Sequence, residues 1–322
     1  MYETFIDLIY AFYYPVLAAV GVPVNLVTIW ILSQGKCSLS RCITLYLVAM
    51  AAADLMVVIT GVILNRIVYY YFPNTSLYIT PVCSCVIVLL CVARDTSVWL
   101  TVVFTLDRLI AICSQKLKAG YCTPKTASLV IGAVCLLFCL KNIPWYFTFE
   151  PVYITDNVPW LCQSKPSFYT SPAWIGYDWL HRILTPFLPF IFILIFNCLT
   201  IRHILVANRV RKGLLSSHSG AEVDPETENR RKSMILLFAI SGSFIMLWIP
   251  YVTNFLYYRI TKTHYYTGPT DPGYILQQMG YMCQLSSSCT NTCIYVVTQT
   301  KFREELKKIV RTPFTLVVKL LK

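Results

Sequence analysis

Seven stretches of the chain are predominantly apolar, at roughly 9–33, 43–68, 82–113, 127–149, 179–205, 234–258 and 274–298, with polar runs between them. Each is near or above the ~20 residues a helix needs to cross a bilayer. None shows the short period-two alternation that would build a membrane barrel, so no barrel is expected. The pattern predicts an all-α integral membrane protein: a seven-helix bundle over residues 1–298, then a short amphipathic helix and tail over 299–322. Pro23, Pro186, Pro189 and Pro250 fall inside the stretches. A bundle tolerates them because neighbouring helices and side-chain hydroxyls re-satisfy the freed backbone groups. From Lys301 to Val310, Phe302, Leu306 and Ile309 share one face and lysines occupy the other, as in a helix lying on the inner leaflet among anionic lipids.

Composition agrees. The chain is 57% hydrophobic and only 13% charged, where a soluble globule carries about 25% charged residues; the mean hydropathy is +0.60. The net charge of +12 is distributed by topology. Twenty of the 27 lysines and arginines fall on the loops at 34–42, 114–126 and 206–233, at the ends of the adjoining spans, or on the tail. That places those segments in the cytoplasm, the N-terminus outside and the C-terminus inside. The remaining seven are Arg66, Arg94, Lys141, Lys165, Arg182, Arg259 and Lys262. Basic residues strung along membrane edges form no groove for nucleic acid, which is excluded as a partner. Without a basic leader and small-residue cleavage site, the first span is expected to be an uncleaved anchor.

Most of the 14 cysteines lie within spans, where a thiol is a small apolar side chain. Cys83 opens the third span on the external side, and Cys162 is the only cysteine in the external segment 150–178. In an oxidising compartment this predicts a Cys83–Cys162 disulfide, with Cys85 as the rival partner. No cysteine follows Cys293, which leaves the tail no site for palmitoylation. Asn74-Thr75-Ser76 is the one glycosylation sequon, in the first external loop, either modified or a plain turn. The loop 206–233 mixes serines with an acidic run, Glu222 to Glu228, and is expected to be solvated and open to kinases.

The polar positions within the spans are ordered. Asn25 sits in the first and Asp54 in the second; Asp107-Arg108-Leu109 closes the third, about 25 residues or some ~37 Å of helix after Cys83. Pro189 marks the fifth, Leu247-Trp248-Ile249-Pro250 the sixth, and Asn291-Thr292-Cys293-Ile294-Tyr295 the seventh. With one motif per span from Asn25 to Phe302, the chain resembles the rhodopsin-like (class A) G-protein-coupled receptors over nearly its full length. Within them it looks closest to an orphan-type subgroup that senses aromatic amino acids and related peptides. The shared features are Ser97-Val98-Trp99-Leu100-Thr101 ahead of Thr105-Leu106-Asp107-Arg108, and Asn197 where most relatives have tyrosine. It departs from the family pattern at Thr292 (usually proline), Leu109 (usually tyrosine) and Arg230 (often glutamate).

The resemblance gives each motif a role beside its plainer structural one. Asp54 is an isolated carboxylate at mid-membrane and needs hydrogen bonds, a proton or a cation. With Asn25, Ser97, Ser287, Ser288 and Asn291 it implies a site for an allosteric sodium ion, against a simple polar network that glues helices. Trp248 and Pro250, with Phe244, Val98 and Pro189, resemble the family's core switch; the alternative is a kinked helix packed on an indole. Asp107 and Arg108, with Asn291 and Tyr295, form the output end toward the G protein. Arg230 and Arg231 leave no acid at that edge on the sixth span, so no inter-helix ionic lock is expected and basal signalling should be appreciable.

Leu90-Cys91 stands where amine receptors place an aspartate, which disfavours a cationic amine. The expected ligand level holds Arg94, Asp95, Asp178, His181 and Arg182, with aromatic walls from Trp248, Tyr251, Phe255, Tyr258 and Tyr281. An arginine can grip a carboxylate in bidentate fashion while aromatic rings stack on an apolar body. This points to an aromatic amino acid, a small acid or a peptide end. The alternative is internal: Asp95 paired with Arg182 or His181, and Arg94 with another acid. Expected partners are a small-molecule or peptide agonist, a heterotrimeric G protein (the subgroup leans to Gq), membrane lipid and, weakly, arrestin, since Thr312 and Thr315 are the tail's only hydroxyls beyond 310. A neuropeptide-type receptor is the nearer alternative and a transporter or channel the distant one. No enzyme motif occurs, and the seventh span lacks a lysine for a Schiff base.

Overall fold

The computed structural model describes residues 8–72, 75–215, 225–261, 268 and 270–320. Every predicted span is a helix: α1 (Ile9–Ser33), α2 (Arg41–Tyr71), α3 (Thr80–Cys113), α4 (Pro124–Thr148), α5 (Pro172–Val206), α6 (Pro225–Thr261) and α7 (Pro272–Thr298). A final helix, α8 (Thr300–Leu320), follows. Several helices begin ahead of their apolar stretch because polar caps and prolines start them. Ser40 accepts from the Ile43 amide at 3.4 Å. Thr123 accepts from Thr126 at 3.2 Å with Pro124 next in line, and Asp271 accepts from Gly273 at 2.8 Å ahead of α7.

The bundle is apolar outside as well as inside. Trp30, Leu129, Met246 and Val297 are among the exposed large side chains, as expected where the solvent is lipid. Tyr46, Leu47, Met50, Phe104, Phe138, Leu237, Tyr295 and Phe302 belong to the buried core at the Arg108 end of the bundle. Among the described residues, six helices are long and apolar enough to cross a membrane. The exception, α7, turns its polar residues inward, burying Gln278, Gln284, Ser288 and Thr292. It lies tight against α6: a Cβ on Gly280 would sit 3.0 Å from Tyr251 Cα and 3.2 Å from its amide nitrogen.

Among the described residues, four helices depart from regular winding: α1 opens on widened turns at Ile9–Tyr13, α4 closes on a tightened segment at Ile143–Thr148, and α2 and α5 are irregular within their length. Turns widen over Val58–Ile67 in α2, where the Thr60 hydroxyl donates to the Met56 carbonyl at 2.7 Å. α5 breaks at Thr185, whose backbone is extended (φ −151°, ψ 107°), just before Pro186. The Leu184 carbonyl beside the break accepts the Trp99 indole N–H at 3.0 Å, which satisfies backbone that lipid could not.

The loop between α4 and α5, outside the helical bundle, carries four short strands in two antiparallel pairs. Phe149–Glu150 pairs with Gln163–Ser164, and Tyr153–Thr155 with Val158–Trp160. The second hairpin turns on Asp156 and Asn157, both at positive φ, where these residue types suit a two-residue turn. The Cys83–Cys162 disulfide is present with its Cα atoms 6.2 Å apart, and Cys85 is a free, exposed thiol. Beside the bridge, Thr80 donates to the Leu161 carbonyl at 2.7 Å and the Leu161 amide donates to the Tyr78 carbonyl at 2.6 Å. The Asn74 sequon and the serines and acids at 216–224 lie outside the described residues, as do the side chains of Arg230, Thr312 and Thr315.

Candidate functional site

The polar residues of the helices form a column from the Cys83–Cys162 end of the bundle to the end that carries Asp107 and Arg108. At its top, Asp95 on α3 is fully buried and acts as a hub. The Lys141 ammonium donates to its Oδ2 at 2.6 Å and the Asn142 amide at 2.9 Å. Arg94 Nε lies 3.8 Å from Oδ1 and His181 Nδ1 3.9 Å from Oδ2. His181 lies between cations, 2.6 Å from Lys141 Nζ and 3.1 Å from an Arg94 nitrogen, and Trp145 packs edge-on against its ring. The internal pairing expected for Asp95 exists: His181, one of the two expected partners, lies within ion-pair distance, and Arg182, the other, is not among its partners. The shorter contacts come from Lys141 and Asn142, just ahead of the closing Ile143–Thr148 segment of α4; only the fold brings Lys141 to α3.

Arg182 turns the other way. Its Nε donates to Asp178 at 3.2 Å, one helical turn back, and a second nitrogen donates to the Tyr251 hydroxyl at 3.0 Å. The guanidinium lies 4.9 Å from the Phe255 ring centroid. Tyr251 meets Tyr281 at 5.8 Å between centroids and Trp248 at 5.8 Å. The expected ligand level is thus one connected layer across α3, α5, α6 and α7; the Tyr258 side chain lies outside the described residues.

Within the helices on the Cys83–Cys162 side of Asp54, the described side chains include four cations, Arg66, Arg94, Lys141 and Arg182, against two carboxylates, Asp95 and Asp178. Arg66 was not among the candidates. It lies on α2, donates to the Tyr10 hydroxyl at 2.5 Å and is surrounded by the rings of Tyr10, Tyr14 and Tyr281.

Below this layer, Phe244 packs 5.3 Å from Trp248 and 5.5 Å from Phe190, with Val98 buried in the same cluster. Phe190, next to the expected Pro189, is the α5 side chain that meets Phe244. The Trp248 N–H donates to the Ser287 hydroxyl at 3.2 Å, so the indole touches the next polar layer.

That layer centres on Asp54, which is buried and accepts from Ser97 at 2.6 Å and Asn291 at 2.7 Å. A cavity of about 20 Å³ adjoins it, lined by the polar residues Ser97, Thr101, Ser243, Ser287, Thr290 and Asn291 and by the apolar Val98, Ile240, Phe244 and Trp248. This is room for about one water-sized occupant. Three expected members make no bond to Asp54: the Asn25 amide donates to the carbonyls of Gly21 and Ser288, both at 2.9 Å, Ser288 does not line the cavity, and Ser287 lines it but donates to the Gln284 carbonyl at 2.6 Å. Asn25 and Ser288 are the pair that ties α1 to α7.

At the far end of the column, Arg108 forms a buried ion pair with Asp107, its Nε donating at 3.0 Å and a terminal nitrogen closing a second contact. The Cys42 thiol donates to the other Asp107 oxygen at 3.4 Å. No other described acid pairs with Arg108. Tyr295 is buried against Phe302 of α8, with ring centroids 5.7 Å apart.

A family model described as "7 transmembrane receptor (rhodopsin family)" matches residues 24–295. The chain is 25% identical over 300 residues to the FMRFamide receptor of Drosophila melanogaster, which covers 89% of this chain and 51% of that protein. It is 23% identical over 276 residues to G-protein coupled receptor 52 of Bos taurus, with 84% and 72% coverage. To Probable G-protein coupled receptor 142 of Mus musculus it is 23% identical over 221 residues, with 68% and 52% coverage. The chain therefore spans about half the length of two of these relatives and nearly three quarters of the third.

Proposed function

The chain belongs to the rhodopsin family of seven-transmembrane receptors, and from that premise we propose that it answers to an anionic ligand, a carboxylate on an aromatic or apolar body. As a member of that family it is a multi-pass plasma-membrane receptor that couples to G proteins, and not an enzyme. The observation that supports the ligand class is the charge balance of the external layer: four described cations face two carboxylates within the helices. A buried or half-buried cation without a counter-ion is unfavourable, and a ligand carboxylate reduces that cost. Arg182, paired but with its side chain 27% exposed, and Arg94 are the hands; Tyr251, Phe255, Tyr281 and Trp248 are the walls. A small acid, a peptide's free carboxyl end and an aromatic amino acid all present this group.

The test is a panel of aromatic acids, amino acids and peptides read out across G-protein classes, repeated on Arg94→Ala and Arg182→Ala. Carboxylate agonists should lose about tenfold or more in potency on either variant; unchanged potency for all of them ends the proposal. A second reading is favoured by the likeness to the FMRFamide receptor: a peptide amide, which has no terminal carboxylate. Full activity of an amidated peptide, with its free-acid form inactive, selects that one.

The rest of the assignment follows the same reading. The N-terminus is external and the C-terminus cytoplasmic. The agonist signal runs through Trp248 to Arg108, and the coupling leans to Gq with little tail-coded arrestin binding. The donor set beside Asp54, one carboxylate with hydroxyls and an amide, fits a hard monovalent cation such as sodium far better than a transition metal. Asp54, Ser97 and Asn291 would hold it, with Ser287 on the wall. When bound, the ion neutralises the carboxylate.

A further inference from the structure

Arg66 differs from the other described cations of the external layer. Arg94 and Lys141 lie within ion-pair distance of Asp95, and Arg182 of Asp178. Arg66 has no carboxylate within that distance among the described residues. What it has is π-electron density: its guanidinium carbon lies 5.0 Å from the Tyr281 ring centroid, 5.7 Å from that of Tyr14 and 5.8 Å from that of Tyr10, with a 2.5 Å bond to the Tyr10 hydroxyl. Aromatic faces attract a cation but do not neutralise it. Tyr14 supplies an independent sign. It is fully buried, yet its hydroxyl has no hydrogen-bond partner among the described residues, and such a group is normally satisfied.

Arg66 is also connected to the ligand layer. Tyr281, whose ring it faces, packs on Tyr251 at 5.8 Å, and Tyr251 accepts from Arg182 at 3.0 Å. The aromatic body between the two cationic positions is thus continuous from α2 to α5.

We propose that Arg66, with the hydroxyls of Tyr10 and Tyr14, forms a second anion site between α1, α2 and α7, and that the receptor's ligand is a dianion. One acidic group sits at Arg66 and the other at Arg94 and Arg182, with an apolar or aromatic spacer along Tyr281 and Tyr251. Two negative charges match the cation surplus of two. The inference rests on the carboxylate reading above and narrows it from an acid to a molecule with two acidic groups, dicarboxylate or phosphate-bearing. Its two groups are gripped from opposite sides of the bundle.

The test uses the purified full-length receptor and its thermal unfolding, because a ligand that binds the folded state raises the midpoint in a concentration-dependent way. The probes are benzoate and phenylacetate as monoanions, and isophthalate, terephthalate and 1,4-phenylenediacetate as dianions, at matched ionic strength; phenyl phosphate adds the phosphate arm. In the wild type, the best dianion should act at a concentration about tenfold or more below its matching monoanion, as expected for one further charge-assisted contact. Arg66→Gln should bring that ratio close to one while leaving the monoanion response unchanged, and Tyr14→Phe should weaken the dianion alone. Arg66→Lys, which keeps the charge, should retain part of the preference and serves if Arg66→Gln does not fold. Equal response to monoanions and dianions in the wild type overturns the second site alone. So does a dianion preference that survives the loss of Arg66. If neither class stabilises the wild type, the carboxylate reading has failed and this inference with it.

Discussion

At the scale of single residues, what decides the site is how each buried charge is balanced. Asp95 is held by Lys141 and Asn142, so removing the lysine leaves a buried carboxylate short of its closest cation. Lys141→Met should destabilise the receptor by about 3–5 kcal/mol, measured as a fall in melting temperature and in surface expression. Adding Asp95→Leu should recover much of the loss, because the pair is then replaced by apolar volume; a double variant as unstable as the single one would show that Lys141 acts otherwise. Asp54 makes a parallel case with neutral partners. Replacing choline chloride by sodium chloride should raise the melting temperature of the wild type and leave that of Asp54→Asn unchanged. Most of these residues were legible in the sequence because a charge inside an apolar run is conspicuous. Their partners were not: Asp95 and Lys141 are 46 residues apart, and nothing local indicates that α4 brings Lys141 to α3. Arg66 was passed over for a related reason, since its neighbours are tyrosines, which look like ordinary packing until the ring faces are seen around the guanidinium.

At the scale of elements, apolar run length located all seven helices, and polar caps explain why several start earlier. The run lengths carried no sign of the widened turns in α2 or of the break at Thr185, because those depend on one hydroxyl and one proline acting on backbone bonds. The small hairpins of the loop between α4 and α5 were missed because two- and three-residue strands leave almost no periodicity, although Asp156-Asn157 was a turn signal. Close approach of elements is likewise invisible until they are packed. Gly280 lets α7 lie on the α6 backbone, so Gly280→Ala should press a methyl against Tyr251 atoms that cannot rotate away. Overpacking of this kind costs about 1–3 kcal/mol, against up to about 1 kcal/mol regained in helix propensity. The expected result is a net fall in thermal stability with lowered agonist potency, because Tyr251 lies in the ligand layer. A more stable variant with unchanged potency would mean that the two helices separate freely.

At the scale of the whole molecule, the order of one motif per span carried the class, and the family match agrees. Arg108, proposed above as the end of the signalling path, is held by its own neighbour, with no described acid on another helix to restrain it. Ligand-free cells expressing the receptor should therefore signal above untransfected controls, and Asp107→Asn should raise that output several-fold by releasing Arg108. Basal output equal to controls in both would count against a shallow resting state. One further property follows from α7, the helix whose polar side chains face inward. Judged by its own composition, it is a poor candidate for the lipid phase, since a membrane insertion machine that weighs segments one at a time charges heavily for such residues. Its glutamines, serines and threonines become acceptable only against α1, α2 and α6, so it must enter the membrane after or together with them. Defects at its contacts should then appear during biogenesis, as chains retained in the endoplasmic reticulum, before they appear as altered pharmacology at the cell surface.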